Sequence, residues 1–277
     1  MSQLEFPPLT LAEWQTTRDT LHGYCKVLGR IRRSLTPRQK HWWHISLRVT
    51  DYSLTTAAIP APERNGEQFV ISLDLQQSRL MITGSWGVWW EMPVNGQPPL
   101  IFSNQIQAAL ETMGIFVEYD RSDLEAIDTP YSAASAGDYA RALSSINSLM
   151  NRFKSELPGE TSHVQLWPHH FDLSLMWLSG RKVPGADPKD EEYADEQMSF
   201  GFSTGDTGIP DAYFYATAYP WPEEMTRQSL PPEAVWYTQG WKGALLLYQS
   251  LISSEKPEDL LLHFLRASHL AGSSLMK

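Results

Sequence analysis

The chain of 277 residues contains a single cysteine, Cys25. One thiol excludes an internal disulfide and any zinc site built from several cysteines. A chain of this length buries roughly three quarters of the surface that it exposes when unfolded, so its core needs no such cross-link. Scarce cysteine is typical of a reducing compartment, and we expect a cytoplasmic protein.

Positive charge is also scarce. The chain has 22 lysines and arginines against 32 aspartates and glutamates, a formal net charge of -10 and a pI near 5.3. The negative electrostatic field of such a chain repels the phosphate backbones of nucleic acids, so nucleic acid is not an expected partner. The densest basic run is RIRR at residues 30–33. It falls at the end of a predicted helix, where cations complement the helix dipole.

No apolar run approaches the roughly 20 residues that a membrane helix needs. The first residues, MSQLEFPPLTLAEW, lack the basic leader and the apolar core of a signal peptide. We therefore expect a soluble protein with no membrane partner. The sequence does not indicate its oligomeric state.

Recognisable catalytic motifs are missing. The sequence has no H-E-x-x-H pair, no G-x-S-x-G elbow and no phosphate loop. The acidic run from Asp187 to Glu196 lacks the glycine and the ligand spacing of an EF-hand, which favours a solvated loop. Whether the protein is an enzyme therefore stays open at this point, and no cofactor is strongly implied.

Helix signals are clear near the start of the chain. Thr10 and Glu13 form a T-x-x-E capping box, apolar residues follow at helical spacing, and Pro37 blocks continuation. This pattern predicts a helix from about Leu11 to Leu35. Cys25 lies on its apolar stripe, which indicates a buried structural thiol rather than a nucleophile.

Alternating segments predict the strands. The first set is WHISLRV, LTTAAI, FVISLDL, RLMITG and VWWEMPV, and the second set is HFDLSLMWL, QMSFGFS and AYFYATAY. Further helices are predicted from Asn104 to Met113 with Ser103 as N-cap, from Tyr139 to Phe153, near Trp241 to Ile252, and from Glu258 to Leu270.

These elements predict an α+β fold, with antiparallel sheet covered by helices. The order of elements favours a single domain of two pseudo-repeated helix–strands–helix halves, at about 10–115 and 136–272. A loop at about 120–135 would join the halves. The repeat rests on pattern rather than on identity.

Period-two geometry locates a candidate site. On a strand, Phe171 and Leu173 would face the core, while His170 and Asp172 would share the opposite face. The same alternation in WWHISLRV places His44 outward, as a counterpart in the other half. Tyr213 and Tyr215 would also share one side of their strand.

The first hypothesis is a small-molecule site in an aromatic-lined polar pocket on this face. Its candidate residues are His44, Trp167, His170, Asp172, Arg181, Glu196, Ser199, Tyr213 and Tyr215. The alternative is a metal-dependent hydrolase with a divalent metal, because imidazole and carboxylate suit zinc, iron or manganese. Its ligands would be His169, His170, Asp172 and Glu196. A third hypothesis is a scaffold whose exposed aromatic residues dock another protein.

Aromatic residues are abundant, with eleven tryptophans among them. Tryptophans stacked around a pocket could hold a planar or sugar-like ligand. Filling of a large core is the simpler expectation, since aromatic side chains are usually buried. Both expectations apply to the same nine tryptophans: Trp42, Trp43, Trp86, Trp89, Trp90, Trp167, Trp221, Trp236 and Trp241.

Four segments together resemble a bacterial family of unknown function, number 5996: KHWWHISLRVTDYSLTTAAIP, FDLSLMWLSGRKVPG, YADEQMSFGFSTGD and AYFYATAYP. The likeness covers nearly the whole chain, from Leu11 to the last helix. It implies no activity, cofactor or substrate. Its recurring positions match Phe171, Asp172, Ser179, Gly180 and Arg181, which shifts attention from the histidines to Asp172 and Arg181. An Asp172–Arg181 ion pair with a structural role is one expectation.

Overall fold

A computed structural model describes residues 4–276 of the chain, which form helices and antiparallel sheets. The predicted α+β class is therefore confirmed. The helices are α1 (Leu11–Leu35), α2 (Pro99–Thr112), α3 (Ala133–Lys154), α4 (Tyr248–Ile252) and α5 (Pro257–Ser273), with 3-10 helices at Lys40–Ile45 and Glu223–Arg227.

The strands of the first sheet are β1 (Arg48–Thr50), β2 (Ser53–Thr55), β3 (Ile59–Pro60), β4 (Gln68–Asp74), β5 (Arg79–Gly84) and β6 (Trp89–Pro93). Those of the second are β7 (Glu160–Thr161), β8 (Gln165–Trp167), β9 (Asp172–Lys182), β10 (Asp195–Ser203), β11 (Tyr213–Tyr219), β12 (Ala234–Tyr237) and β13 (Gly243–Leu247).

The chain divides into two compact units. The N-terminal unit contains Ala12–Ser144 and Leu166–Phe171. The C-terminal unit contains the segment up to Leu11, Ser145–Gln165 and the segment from Asp172 onward. The single domain of two pseudo-repeated halves stays a prediction.

In the N-terminal unit the sheet follows the order β1-β2-β4-β5-β6, and β3 pairs with β4. The alternation in β4 buries Phe69, Ile71 and Leu73, as its period-two pattern predicts. Helix α1 begins and ends where the sequence predicts, and Cys25 lies fully buried on it. Burial raises the pKa of the Cys25 thiol, which keeps it protonated.

In the C-terminal unit the strand order is β12-β13-β11-β10-β9-β7, and β8 also pairs with β9. One face of this sheet carries the core, where Phe200, Phe202 and Phe214 are fully buried. Phe153 of α3 packs edge-on against Phe200, with ring centroids 5.0 Å apart. The opposite face is therefore left for polar and aromatic residues.

The predicted strand over WHISLRV is wrong for most of its length. Lys40–Ile45 forms a 3-10 helix in which His41 and Trp42 have positive φ angles of 52° and 57°. Two left-handed residues invert the expected alternation, because period two holds only for extended backbone. His44 is consequently buried rather than outward-facing.

The strand expected from His170 begins only at Asp172. His169 and His170 lie in the turn before it, and Phe171 has a φ of 59°. A left-handed residue between His170 and Asp172 breaks the alternation that placed them on one face.

Two helix boundaries also differ from expectation. Helix α2 begins at Pro99 rather than near Asn104, with Pro98 as N-cap, so Ser103 is interior. Proline suits the first helical position because its missing N–H has no intrahelical partner there. Of the helix predicted near Trp241 to Ile252, the first part is strand β13 (Gly243–Leu247) and only the second part is helix, the short α4 (Tyr248–Ile252).

Candidate functional site

A hydrogen bond that crosses three strands organises the polar face of the C-terminal sheet. Tyr215 on β11 donates its hydroxyl to Oδ2 of Asp172 on β9, at 2.5 Å. Strand β10 lies between them, and its Gly201 stands opposite both Tyr215 and Ser174. A Cβ on Gly201 would lie 2.3 Å from Cζ of Tyr215. Glycine is therefore required here for the tyrosine ring to reach the carboxylate.

The charge state of this pair follows from its surroundings. Burial, together with the charge of Asp172, raises the pKa of Tyr215 well above its ordinary value. Tyr215 therefore stays a neutral phenol that donates to the carboxylate, while Ser174 also shares a hydrogen bond with it. A charge-assisted hydrogen bond of this kind is stronger than a neutral one.

A second tyrosine–carboxylate pair lies beside the first. The hydroxyl of Tyr213 donates to Oδ2 of Asp206 at 2.8 Å. Oδ1 of Asp206 accepts the backbone N–H groups of Gly208 and Ile209, which shapes the turn between β10 and β11. The rings of Tyr213 and Tyr215 are 6.3 Å apart. Two carboxylates and two phenols thus share one region of the sheet.

Aromatic side chains border this polar network. The Trp241 ring is 6.3 Å from Tyr213, nearly parallel to it, and 4.8 Å from Tyr237. Trp241 packs over the start of β13, where a Cβ on Gly243 would lie 2.5 Å from its ring. Trp241, Tyr237 and Tyr215 are only half-buried. We call the set Asp172, Asp206, Tyr213, Tyr215, Tyr237 and Trp241 the aromatic–carboxylate face.

Arg181 and Glu196 form a separate cluster. Oε2 of Glu196 accepts from Nε of Arg181 at 2.9 Å and from the hydroxyl of Ser179 at 2.5 Å. Asp172 and Arg181 lie at opposite ends of β9, roughly 30 Å apart at the usual rise per residue. The expected Asp172–Arg181 ion pair is therefore wrong, because the carboxylate partner of Arg181 is Glu196.

The predicted metal ligands are not gathered into a metal site. Asp172 belongs to the aromatic–carboxylate face, and Glu196 belongs to the Arg181 cluster. The rings of His169 and His170 are 4.3 Å apart in their turn. Across residues 4–276, no three or more His, Cys, Asp or Glu side chains are grouped so that they could hold a metal ion.

Two other candidate residues, His44 and Trp167, belong to the N-terminal unit. His44 is buried, with its ring stacked 5.6 Å from Trp42, and its Nδ1 accepts from the backbone N–H of Gln39. Trp167 is half-buried, and its ring meets that of His169 at 5.7 Å. Their part in one pocket with the remaining candidates stays a prediction.

Two further residues complete the comparison with the sequence. Ser199 lies on the polar face of β10, paired with Met176 and Thr217. In the N-terminal unit, His22 reaches the carbonyl oxygen of His169 through Nε2 at 3.1 Å. Burial, and secondarily the charge of Lys26, lowers the pKa of His22 to about 4.

None of the nine tryptophans named above is fully buried. Eight of them are half-buried and Trp89 is exposed, whereas the buried tryptophans of the described chain are Trp14 and Trp177. Each of the nine therefore keeps part of its surface exposed, including Trp241.

Sequence reasoning missed several residues of the aromatic–carboxylate face. Asp206 lies in a turn that no sequence motif marks, Trp241 falls within a predicted helix, and no pattern indicates Tyr237 or Gly201. A glycine paired with a tyrosine on the neighbouring strand is a usable signal, but only once the strand register is known.

The sequence of the chain matches one known protein family over nearly its whole length. The family described as "Family of unknown function (DUF5996)" matches residues 6–277. The chain belongs to this family. In this DUF5996 member, Ser179 and Arg181 both bind Glu196, and Gly180 between them has a φ of 83°. These contacts give a structural reason for the S-G-R segment.

No curated protein matches the chain, and no solved structure does so either. No helix within residues 4–276 is both long enough and apolar enough to cross a membrane. The function of this DUF5996 member must therefore be inferred from its own geometry.

Proposed function

We propose that this protein binds a small molecule at the aromatic–carboxylate face of its C-terminal unit. The observation that carries the proposal is the reach of Tyr215 across Gly201 to Asp172. Because the Tyr215 ring needs a glycine on the intervening strand, this hydrogen bond fixes the positions of polar groups from β9, β10 and β11 relative to one another. Rigid placement of polar groups beside aromatic surface is typical of small-ligand sites.

The chemistry of the face indicates the class of ligand. Asp172 and Asp206 accept hydrogen bonds, so a ligand must bring donors such as hydroxyl or amino groups. Trp241 and Tyr237 offer half-buried rings, which stack on planar or sugar-like surfaces and attract cations. We therefore favour a hydroxylated or amino-bearing molecule with one flat face.

Direct binding to a defined panel tests the proposal. The panel contains methyl glycosides, nucleosides and arylamines, and binding is detected by saturation-transfer NMR on the unlabelled protein. Ligands that bind should lose at least ten-fold in affinity with Trp241→Ala, because the stacking surface is removed. Tyr215→Phe should also weaken binding, because it removes the hydroxyl group that holds the Asp172 carboxylate in position.

Two matched variants serve as controls. Trp236→Ala removes an indole that donates to the backbone oxygen of Gln228 and lies outside the aromatic–carboxylate face. Asp195→Asn removes a carboxylate paired with the exposed Lys182. Both controls should retain the affinity. Ligands bound equally well by Trp241→Ala and by the unchanged protein would contradict the proposal, as would a panel without any binder.

A further inference from the structure

Two arginines of the N-terminal unit place their charges close together inside the protein. Arg32 lies on α1, and only 3% of its side chain is exposed. Arg48 begins β1 and is half-buried. The guanidinium of Arg32 donates through Nη1 to the backbone oxygen of Ser46, two residues before Arg48. The helix and the strand thus bring both cations to one region.

Neither guanidinium has a carboxylate partner in the part of the chain that the structure describes. The ion pairs of nearby arginines are formed elsewhere, as with Arg30 and Asp123 at 2.7 Å. Nε of Arg32 and Nη1 of Arg48 are both buried and have no hydrogen-bond acceptor. Such donors are uncommon, because nearly all buried polar groups of native proteins are satisfied.

The positive charges of Arg32 and Arg48 repel each other and are unfavourable without a counter-charge. Burial, and secondarily the charge of Arg48, lowers the pKa of Arg32 to about 10. Burial also lowers the pKa of Arg48. Both groups nevertheless remain protonated at neutral pH, since arginine does not lose its proton there. A buried charge beside a half-buried charge of the same sign normally requires a counter-charge.

The surroundings add positive charge. Six of the 22 basic residues fall between residues 30 and 48, a stretch without any aspartate or glutamate. Arg38 stacks 4.2 Å above the Trp42 ring, and Lys40 lies 5.3 Å from the Trp43 ring. The Trp43 indole N–H is a further buried donor without an acceptor. In a chain of net charge -10, this stretch is a local cationic region.

We propose that Arg32 and Arg48 form an anion site that binds the phosphate or carboxylate group of a small molecule. Guanidinium groups match the paired oxygens of both anions, with two parallel N–H donors each. An oxyanion would satisfy the free donors and neutralise the repulsion between the two cations. This site is separate from the aromatic–carboxylate face and does not rest on it.

Thermal unfolding of the full chain with inorganic phosphate tests the site. Titrations run at constant ionic strength, made up with sodium chloride, and a parallel titration uses malonate. Phosphate at about 100 times its dissociation constant should raise the Tm by roughly 5–10 °C, because it binds the folded state only. Whichever of phosphate and malonate binds more tightly identifies the oxyanion.

The deciding variant is Arg48→Met, which removes one charge and keeps most of the side-chain volume. It should weaken anion binding at least ten-fold while leaving the Tm in anion-free buffer equal to or above that of the unchanged protein. Its matched control is Arg227→Met, which makes the same charge change at an exposed position. The control should keep the full anion response.

A third variant guards against a failure to fold. Arg48→Lys keeps the charge but loses the planar pair of donors, so it should bind phosphate more weakly than the unchanged protein and more tightly than Arg48→Met. The proposal is overturned if neither anion raises the Tm. It is equally overturned if Arg48→Met responds as strongly as Arg227→Met, or if Arg48→Met lowers the anion-free Tm.

Discussion

Gly201→Ala is the sharpest test of the network around Tyr215. The new methyl group would lie 2.3 Å from Cζ and 2.4 Å from Oη of Tyr215, distances at which one group must move. The tyrosine ring then leaves its position over β10 and loses the hydrogen bond to Asp172. A hydrogen bond to a charged group contributes about 1.5–3 kcal/mol.

The expected size of the effect combines two opposing contributions. Alanine is favoured over glycine in a strand by roughly 0.5–1 kcal/mol, because glycine loses more backbone entropy on folding. We therefore expect Gly201→Ala to lower the free energy of unfolding by about 1–2 kcal/mol. Urea unfolding followed by tryptophan fluorescence measures this change.

The matched background is Tyr215→Ala, in which no ring covers Gly201. There the same Gly201→Ala change should be neutral or stabilising by up to about 1 kcal/mol, since only the backbone contribution remains. The sign of the effect should therefore depend on Tyr215. Equal destabilisation in both backgrounds would refute the account, because it would place the cost of the methyl group elsewhere.

Three further predictions concern single groups. The pKa of His22 is lowered to about 4 in the folded protein, below its ordinary 6.5, so its contribution to stability is complete above pH 6.5 and is lost as the pH falls towards 4. His22→Gln should flatten this acid dependence in urea unfolding, and an acid dependence as steep as that of the unchanged protein would contradict the prediction. Glu196→Gln should destabilise by about 1–3 kcal/mol, because this buried carboxylate holds Arg181 and Ser179; Asp195→Asn, at a more exposed ion pair, should cost about 1 kcal/mol or less, and equal losses would refute the distinction. The buried Cys25 should react with a thiol reagent only on unfolding, and rapid reaction in the native protein would contradict its burial.

The elements that sequence reasoning located correctly are those with strong local signals. Helix α1 follows from a capping box, an apolar stripe and Pro37, all of which act within a few residues. The last helix, predicted from Glu258 to Leu270, forms as α5 (Pro257–Ser273), and its first residue is a proline, which suits the first helical position. Strands β4, β5 and β6 follow from their alternation and the turns between them.

The secondary structure predicted from the sequence was wrong in two kinds of segment: those set by a few unusual backbone angles, and those whose residue pattern fits both a helix and a strand. His41 and Trp42 adopt left-handed conformations, which no pattern of residue types indicates for two consecutive non-glycine residues. A short apolar run such as Gly243–Leu247 fits a buried strand and a buried helix equally well. In both segments the tertiary packing determined the result.

The candidate site was predictable in part. Alternation placed Tyr213 and Tyr215 on one side of their strand, and Asp172 proved to lie within reach of Tyr215. The missing information was the register of β9, β10 and β11, which places Gly201 between the two. Register depends on contacts between distant residues, and so does the separation of Asp172 from Glu196.

The proposal that the aromatic–carboxylate face binds a small molecule is tested most directly by the indole N–H resonances of the protein. The chain has eleven tryptophans, so a ¹⁵N-indole spectrum contains few signals, and that of Trp241 is assigned from its loss in Trp241→Ala. Titration with the tightest panel ligand should shift the Trp241 signal in a saturable way and leave the buried Trp14 unchanged. Saturable binding that leaves the Trp241 signal in place would contradict the proposal.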